Sequence, residues 1–255
     1  MKQKTIKIAA VSALTAGVAL TNFGLSFTAS AAAPADYKSN VIVQFSPSDQ
    51  IVKPVDPTDP SKTPEDGKGP IDPTDPKGPQ PGTPGPLSID YASSLDFGTQ
   101  KITSTDEVYH AAAQKFGDAS RGDGPNYVQV TDNRGTETGW FLKVKQQGQF
   151  VSTDNKELTG AELVFSNGVV NTISVSPKPS VVKSSFSLTP DGNGVAENIM
   201  AAKVGEGAGT YVLAFGDDTS GGDSISLKVP GSTTKYADKY ATTLLWTLED
   251  TPSGI

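Results

Sequence analysis

Short runs in which apolar and polar residues alternate fill residues 87–255, and they constrain the fold more than any other feature of the sequence. In a β-strand, residues i and i+2 point to the same face, so this alternation is typical of half-buried strands. The apolar faces are Val128 with Val130, Trp140 with Leu142 and Val144, Tyr211 with Leu213 and Phe215, Ile225 with Leu227 and Val229, and Leu244 with Trp246 and Leu248. Polar, glycine-rich clusters separate these runs. Residues 105–116 and 236–240 tolerate a helix, the first of these is ambiguous, and residues 195–203 are uncertain. We therefore predict an all-β domain, a sandwich or barrel-like fold, over residues 87–255.

The first 31 residues have the three parts of a secretory signal peptide. A lysine-containing start precedes an apolar stretch of residues 8–25, and the small residues Ala29-Ser30-Ala31 follow. We place cleavage after Ala31. A membrane anchor is the alternative, but the apolar stretch is short and polar residues interrupt it. The sequence predicts an extracellular protein that has no membrane segment once the signal is removed.

Charge and cysteine content exclude several classes of function. The signal peptide holds three of the 21 basic residues and none of the 28 acidic ones, so the mature chain carries a net charge of −10. Such an acidic chain is a poor partner for nucleic acid or for an anionic lipid surface. The absence of cysteine excludes disulfides, thiolate metal sites and thiol enzymes, and it suits the exterior of a Gram-positive bacterium.

A single strand-like sequence, Val41-Ile42-Val43-Gln44-Phe45, lies within residues 32–53. One strand cannot stabilise itself. We expect it to join the sheet of the later domain, which would make the residues between them an excursion from one structural unit. Donation to a neighbouring subunit is the alternative, and the sequence leaves both open.

Residues 54–86, the Pro-rich segment, contain 11 of the 19 prolines and repeat Asp-Pro-Thr-Asp-Pro at residues 56–60 and 72–76. Proline fixes φ and removes a backbone donor, which disfavours helix and sheet. We predict a semi-rigid extended linker or loop, able to span about 100 Å. A proline-recognition ligand is the less favoured interpretation.

Residues that carry chemistry are sparse. The only histidine is His110, and no Gly-x-Ser-x-Gly nucleophile motif is present. Asp217, Asp218 and Asp223 lie in one glycine-rich loop, but their spacing does not match an EF-hand, so a solvated hairpin tip is the better interpretation. Arg121-Gly122-Asp123 matches an integrin-type tripeptide, which chance and turn chemistry explain. Glycan hydrolysis usually needs two carboxylates in one pocket, and no acidic residue stands in a segment that suggests a pocket. We predict no enzymatic activity, no cofactor and no metal site.

The only two tryptophans stand in the motifs Trp140-Phe141-Leu142 and Trp246-Thr247-Leu248. Each Trp shares a strand face with its Leu. A buried aromatic side chain anchors a sandwich core, whereas a partly exposed one fits a sugar ring or the groove of another protein. Spacing alone leaves both interpretations open.

These motifs and their surroundings resemble the WxL-domain surface proteins of low-GC Gram-positive bacteria. The family-like sequences are residues 131–135 and 139–144 around the first motif, residues 245–252 around the second, and residues 86–90 and 95–98 at the start of the domain. The signal peptide, the lone strand and the Asp-Pro-Thr-Asp-Pro repeats are also family-like. No additional domain remains, so the chain is similar to a small WxL protein.

The resemblance implies a non-catalytic protein of the cell surface that binds peptidoglycan non-covalently. The expected ligand-binding residues are Trp140, Leu142, Trp246 and Leu248, with Phe141 as a lesser candidate on the opposite face. The alternative is a protein-interaction subunit that docks a WxL-interacting protein or a larger WxL protein, and the resemblance implies both as further partners. The chain ends Pro-Ser-Gly-Ile, which provides neither a covalent sorting signal nor an apolar tail.

Overall fold

The computed structural model of the protein describes residues 35–188 and 197–250. The predicted signal peptide lies outside the described residues. By their internal contacts the described residues divide into two units, with the boundary between Val43 and Gln44.

Fourteen β-strands, and no helix, occur in the described part of the chain. In order they are β1 Leu87–Ala92, β2 Glu107–His110, β3 Asn126–Asp132, β4 Trp140–Gln146, β5 Val151–Ser152, β6 Glu162–Phe165, β7 Gly168–Asn171, β8 Val181–Val182, β9 Phe186–Ser187, β10 Glu197–Ala202, β11 Gly209–Phe215, β12 Ile225–Val229, β13 Tyr240–Ala241 and β14 Leu244–Glu249. The helix-tolerant stretch of residues 105–116 thus contains a strand, β2. No helix long and apolar enough to cross a membrane was found among these residues.

All strand pairs are antiparallel, and they form three four-stranded sheets and one two-stranded sheet. Their orders are β1-β3-β11-β7, β14-β4-β10-β8, β2-β12-β6-β9 and β13-β5. The prediction of an all-β, sandwich-like fold is confirmed.

One continuous core joins the first two sheets face to face. Val128 and Val130 of β3 and Leu213 of β11 pack in the same cluster as Leu142 of β4 and Met200 of β10. Each of these side chains is fully buried. The alternation seen in the sequence supplies this core, because every second residue of each strand points inward.

The outer face of the β1-β3-β11-β7 sheet is buried as well, and the Pro-rich segment covers it. Val55 forms a second apolar cluster there with Tyr91, Tyr127 and Val212. This explains why all seven residues of β3 are buried, since both faces of that strand are covered. The Pro-rich segment therefore packs along the domain in this structure.

Backbone bonds tie the same segment to the domain at several points. The amide of Ile71 donates to Lys115 O over 2.8 Å, and the amide of Thr83 donates to Ile89 O over 2.8 Å. Ile89 N donates in return to Thr83 Oγ1 over 2.9 Å. The outer edge of β1 is thus capped by the protein's own chain.

The expectation that residues 41–45 join the sheet of the later domain stays a prediction. They form no strand, and Val41, Ile42, Val43 and Phe45 have 91, 94, 77 and 87% of their surface exposed. Pairing with a neighbouring subunit stays a prediction.

Candidate binding site

The two Trp-x-Leu motifs lie on adjacent antiparallel strands. In the register of β4 and β14, Leu248 pairs with Leu142, and Trp246 pairs with Val144. Directly opposed residues share a face of the sheet. The four motif residues therefore form one patch on the inner face, although about a hundred residues of sequence separate them.

Trp140 lies at the closed end of this patch and has no exposed surface. Its indole Nε1 donates to Gly207 O over 3.0 Å, and its ring centroid is 6.2 Å from that of Tyr211. Gly207 has φ +80°, and a Cβ at that position would lie 2.6 Å from Trp140 Nε1. The indole therefore packs so closely on this turn that only glycine fits at residue 207, and Trp140 belongs to the core. Leu142 is equally buried.

Trp246 and Leu248 lie at the open end, because β14 is the edge strand of its sheet. Both side chains pack against the core and remain partly exposed. Phe141 points to the opposite face with Lys143, whose Nζ lies 5.9 Å from the ring centroid, and it is only 2% exposed. Lys143 also forms a 2.8 Å ion pair with Glu249 across the two strands. Direct contact with a ligand is thus open to Trp246 and Leu248, whereas Trp140, Leu142 and Phe141 are enclosed.

A cleft of about 660 Å³ adjoins Trp246, between β14 and β1. We call it the Trp246 cleft. Its apolar lining includes Ile89, Leu95, Phe97 and Phe150, and its polar lining includes Asp72, Ser94, Thr242 and Thr243. A concave apolar surface with a few polar groups is the usual form of a ligand site. The second motif therefore contributes an aromatic ring to a site of suitable shape.

Asp72 is the charged group whose environment in the cleft is best defined. Burial acts to raise the pKa of Asp72, but hydrogen bonds from Thr74 and Ser94 outweigh it and lower the pKa. The Ser94 hydroxyl donates to Asp72 Oδ2 over 2.8 Å. The cleft thus presents a negative charge at neutral pH, which suits neutral or cationic groups of a ligand and disfavours anionic ones.

Comparison with known proteins places these features in a family. A family model described as "WxL domain surface cell wall-binding" matches residues 32–252. The chain belongs to this WxL family. It is accordingly a surface protein with a cell-wall-binding domain, a non-enzymatic kind of domain, and the resemblance inferred from the motifs is confirmed. No curated protein and no solved structure matches it.

The Asp-Pro-Thr-Asp-Pro repeats of this WxL chain are two copies of one capped turn. Asp56 Oδ1 accepts the amide and the hydroxyl of Thr58, both at 2.9 Å, and Asp72 Oδ1 accepts the same groups of Thr74, both at 2.7 Å. Such Asx turns are typical of Asp followed two residues later by Thr. The second oxygen of each Asp contacts the β domain, Asp72 through Ser94 and Asp56 through an arginine. Each repeat therefore attaches the Pro-rich segment to the WxL domain.

That arginine is Arg121, which sequence reasoning considered only as part of an integrin-type tripeptide. Its Nε donates to Asp56 Oδ2 over 2.9 Å and its Nη2 to Asp56 Oδ1 over 3.0 Å. Its Nη1 lies 2.8 Å from Asp218 Oδ1, and its guanidinium carbon is 4.4 Å from the centre of the Phe116 ring. Only 13% of the side chain is exposed. Arg121 thus holds the WxL domain and the Pro-rich segment together.

Gln129 is a second anchor that sequence reasoning did not select. Its side chain is fully buried on the outer face of β3. Its Oε1 accepts the amide of Val55 over 2.7 Å, and its Nε2 donates to Lys53 O over 3.1 Å and to Asp90 Oδ2 over 2.8 Å. Burial raises the pKa of Asp90, although Ser88, Thr131 and Gln129 all donate to its carboxyl group. The sequence alone shows only a polar residue between Val128 and Val130, which fits the alternation of a half-buried strand and does not reveal that Gln129 is buried.

The remaining sequence candidates occupy ordinary structural positions. His110 is exposed at the end of the edge strand β2. Asp217 caps its own turn, where hydrogen bonds from Thr219 and Ser220 strongly lower its pKa. Among the described residues, no three His, Cys, Asp or Glu side chains are grouped so that they could hold a metal ion.

Proposed function

We propose that this WxL protein binds peptidoglycan non-covalently at the cell surface, and that the ligand enters the Trp246 cleft. The observation that carries the proposal is the partial exposure of Trp246 beside a concave surface of about 660 Å³. A flat aromatic ring offers its face to the apolar side of a sugar ring, and neighbouring hydroxyl groups supply hydrogen bonds.

The buried motif residues have a different role in this proposal. Trp140 and Leu142 fix β4, and Leu142 opposes Leu248 and thereby sets the register of β14. Register decides which side chains face inward, because a slip by one residue would turn Trp246 to the outside. The first motif therefore positions the second, and only Trp246 and Leu248 have exposed surface for contact.

Electrostatics favours the glycan or the stem peptide over anionic wall polymers. The mature chain has a net charge of −10, and Asp72 adds a negative charge in the cleft itself. Repulsion of this kind weakens the approach of phosphate-rich polymers. Retention at the wall then depends on contact in the cleft and requires no covalent bond.

The test is co-sedimentation of the mature chain, residues 32–255, with purified peptidoglycan. We expect Trp246→Ala to weaken binding at least about tenfold, which corresponds to the loss of one good aromatic contact. Leu245→Ala is the matched control, because Leu245 is the neighbouring residue on β14 and is 45% exposed on the opposite face. Circular dichroism checks that both variants are folded.

The proposal fails if folded Trp246→Ala sediments like the wild type, or if Leu245→Ala loses binding to the same extent. Incubation of the wild type with peptidoglycan should release no reducing sugar. Release of sugar would show an enzyme and would require a different site.

A second candidate function is a subunit that docks a WxL-interacting protein or a larger WxL protein. The observation that favours it is the exposure of the apolar side chains in residues 41–45. A pull-down with either purified partner, in the absence of wall material, tests it. Binding that survives Trp246→Ala and disappears with Val43→Ser would separate this function from wall binding.

A further inference from the structure

The two Asp-Pro-Thr-Asp-Pro repeats differ in how their carboxylates are neutralised. In the first repeat, residues 56–60, Asp56 pairs with Arg121 Nε at 2.9 Å. Asp59 of the same repeat pairs with Lys62 Nζ, also at 2.9 Å. Both carboxylates of the first repeat therefore have a cationic partner within the protein, and neither of them lines the Trp246 cleft.

The second repeat, residues 72–76, has the same sequence but no cationic partner. Asp72 Oδ2 accepts the Ser94 hydroxyl over 2.8 Å, and Asp75 Oδ1 accepts the backbone amide of Lys77 over 2.8 Å. Within the described residues, neither carboxylate forms an ion pair. Both residues line the Trp246 cleft. The negative charge is thus neutralised in the repeat outside the cleft and left unneutralised in the repeat that faces it.

The rest of the cleft supplies no positive charge. Its acidic residues are Asp72, Asp75 and Asp90, and none of the described residues that line it is Lys, Arg or His. Asp90 is only 2% exposed, and three side-chain donors already occupy its carboxyl group. Asp72 and Asp75 are partly exposed. The second repeat therefore provides the carboxylates that a ligand can reach, beside apolar walls that strengthen their field.

A further acceptor without a donor lies beside the cleft. Gln146 is on the inner face of β4, directly opposite Leu244, which lines the cleft. Its Nε2 donates to Gly148 O over 2.9 Å. Its Oε1 is the only buried side-chain nitrogen or oxygen of the described residues that lacks a hydrogen-bond partner. Buried polar atoms are normally paired, so this oxygen is an acceptor in need of a donor.

The Trp246 ring completes a set of groups that suits a cation. An ammonium group has three hydrogen-bond donors and no acceptor, which matches carboxylates and an amide oxygen that lack donors. Tryptophan is also the aromatic side chain that attracts a cation most strongly, through the negative face of its ring. A hydrogen bond between an ammonium and a carboxylate is about twice as strong as a neutral one. A neutral sugar would contact the ring but leave the carboxylates without a counter-charge.

We propose that the Trp246 cleft recognises a protonated primary amino group of peptidoglycan, held by Asp72, Asp75 and the ring of Trp246. This inference rests on the proposed function, because it names the chemical group by which the same cleft selects its ligand. Such a group has two sources, the free side-chain amine of a stem peptide that is not cross-linked and the amine of an N-deacetylated sugar. Cross-linking or acetylation turns either amine into a neutral amide, so the protein binds best where free amines remain.

Acetylation of the wall material tests this group without any change to the protein. Purified peptidoglycan is treated with acetic anhydride and then with mild base to remove esters, and co-sedimentation of the mature chain is compared with that on mock-treated material. We expect binding to the acetylated material to be at least about tenfold weaker, which corresponds to the loss of one charge-assisted hydrogen bond. Equal binding to both materials would overturn the inference.

Neutral variants test the residues. Asn forms the same capped turn as Asp, so Asp72→Asn/Asp75→Asn removes the charge and keeps the turn. We expect this variant to bind mock-treated peptidoglycan about tenfold less tightly, and acetylation to weaken it no further, since both changes remove the same interaction. Asp59→Asn is the matched control for Asp75→Asn, because Asp59 has the same position in the first repeat and lies outside the cleft. Circular dichroism checks the fold of each variant.

Soluble probes distinguish the two sources of the amine. Calorimetric titration uses a synthetic stem peptide with a blocked N-terminus and a free lysine side chain, its side-chain-acetylated form, a glucosamine oligomer and the matching N-acetylglucosamine oligomer. We expect an amine probe to bind at least about tenfold more tightly than its acetylated form, and Asp72→Asn/Asp75→Asn to lose this preference. The probe that shows the preference identifies the source. Equal binding within both pairs of probes would overturn the inference.

The variants also separate this inference from the wall-binding proposal. If folded Trp246→Ala sediments like the wild type, the ligand does not use the cleft, and both proposals fail. If Trp246→Ala loses binding but Asp72→Asn/Asp75→Asn sediments normally with mock-treated peptidoglycan, wall binding at the cleft stands and the ammonium group alone is rejected. Equal losses in Asp59→Asn and Asp75→Asn would show an effect of net charge and would also reject it.

Discussion

Replacement of Arg121 by Ala should release the Pro-rich segment from the WxL domain. The guanidinium donates to Asp56 twice, at 2.9 and 3.0 Å, and to Thr58 Oγ1 at 3.1 Å, and it pairs with Asp218 at 2.8 Å. The side chains of Arg121 and Asp56 are only 13 and 12% exposed. Removal of one partner from a fully buried pair costs about 3–5 kcal/mol, and some residual exposure lowers this value. We expect a loss of about 2–4 kcal/mol in the free energy of unfolding.

Chemical denaturation of the mature chain measures this loss, and hydrogen exchange locates it. The amide of Val55, which donates to Gln129, should lose protection before the amides of β4 do. Arg121→Lys keeps the charge but not the planar fork, so it should lie between wild type and Arg121→Ala. In a double-mutant cycle with Asp56→Ala, the two losses should not add. A change below about 0.5 kcal/mol for folded Arg121→Ala would refute the role of this residue as an anchor.

Three further predictions concern the motifs and the effect of acid. Trp140→Ala should cost about 3–5 kcal/mol in thermal or chemical unfolding, and Trp246→Ala less, because only the first ring is fully enclosed. Gly207→Ala should destabilise the fold more than Gly205→Ala in the same assay: both glycines have positive φ, at +80° and +85°, but only at Gly207 would a Cβ meet neighbouring atoms. Burial acts to raise the pKa of Asp56, but hydrogen bonds lower the pKa below its unfolded value. The ionised Asp56 carboxylate therefore contributes fully to stability above about pH 4, and this contribution is lost as the pH falls through the folded pKa. The difference in unfolding midpoint between wild type and Asp56→Asn should shrink in acid.

The strands of the sandwich could be predicted because their faces differ in polarity. The runs around Trp140, Tyr211 and Ile225 alternate along the sequence, and each became a strand with the expected side facing inward. The family resemblance could also be recognised from the sequence, because the Trp-x-Leu motifs and their flanking residues are short, contiguous segments. The order of the strands was not available, because antiparallel partners such as β4 and β10 are chosen by contacts between distant residues.

The position of the Pro-rich segment could not be predicted from its composition. Proline disfavours helix and sheet, and the segment contains no helix and none of the fourteen strands, but composition says nothing about which surface the backbone follows. That choice depends on single polar contacts with Arg121, Gln129 and Ser94, and each of these looked like an ordinary loop or strand residue. The burial of Gln129 could not be predicted either, because a polar residue between Val128 and Val130 fits a half-buried strand.

The two motifs differ in burial, and their identical Trp-x-Leu spacing hides this difference. Identical spacing places each Trp on the same face as its Leu, and the pairing of Leu142 with Leu248 joins both motifs into one patch. However, β4 is an inner strand and β14 an edge strand, so the same side chain is enclosed in one case and partly open in the other. An aromatic ring at a sheet edge can contact a wall ligand, whereas the enclosed ring can only keep that edge in register. If Trp246 contacts the wall as proposed, an assay that changes both motifs would mix stability with binding, and only changes confined to the second motif would report on recognition.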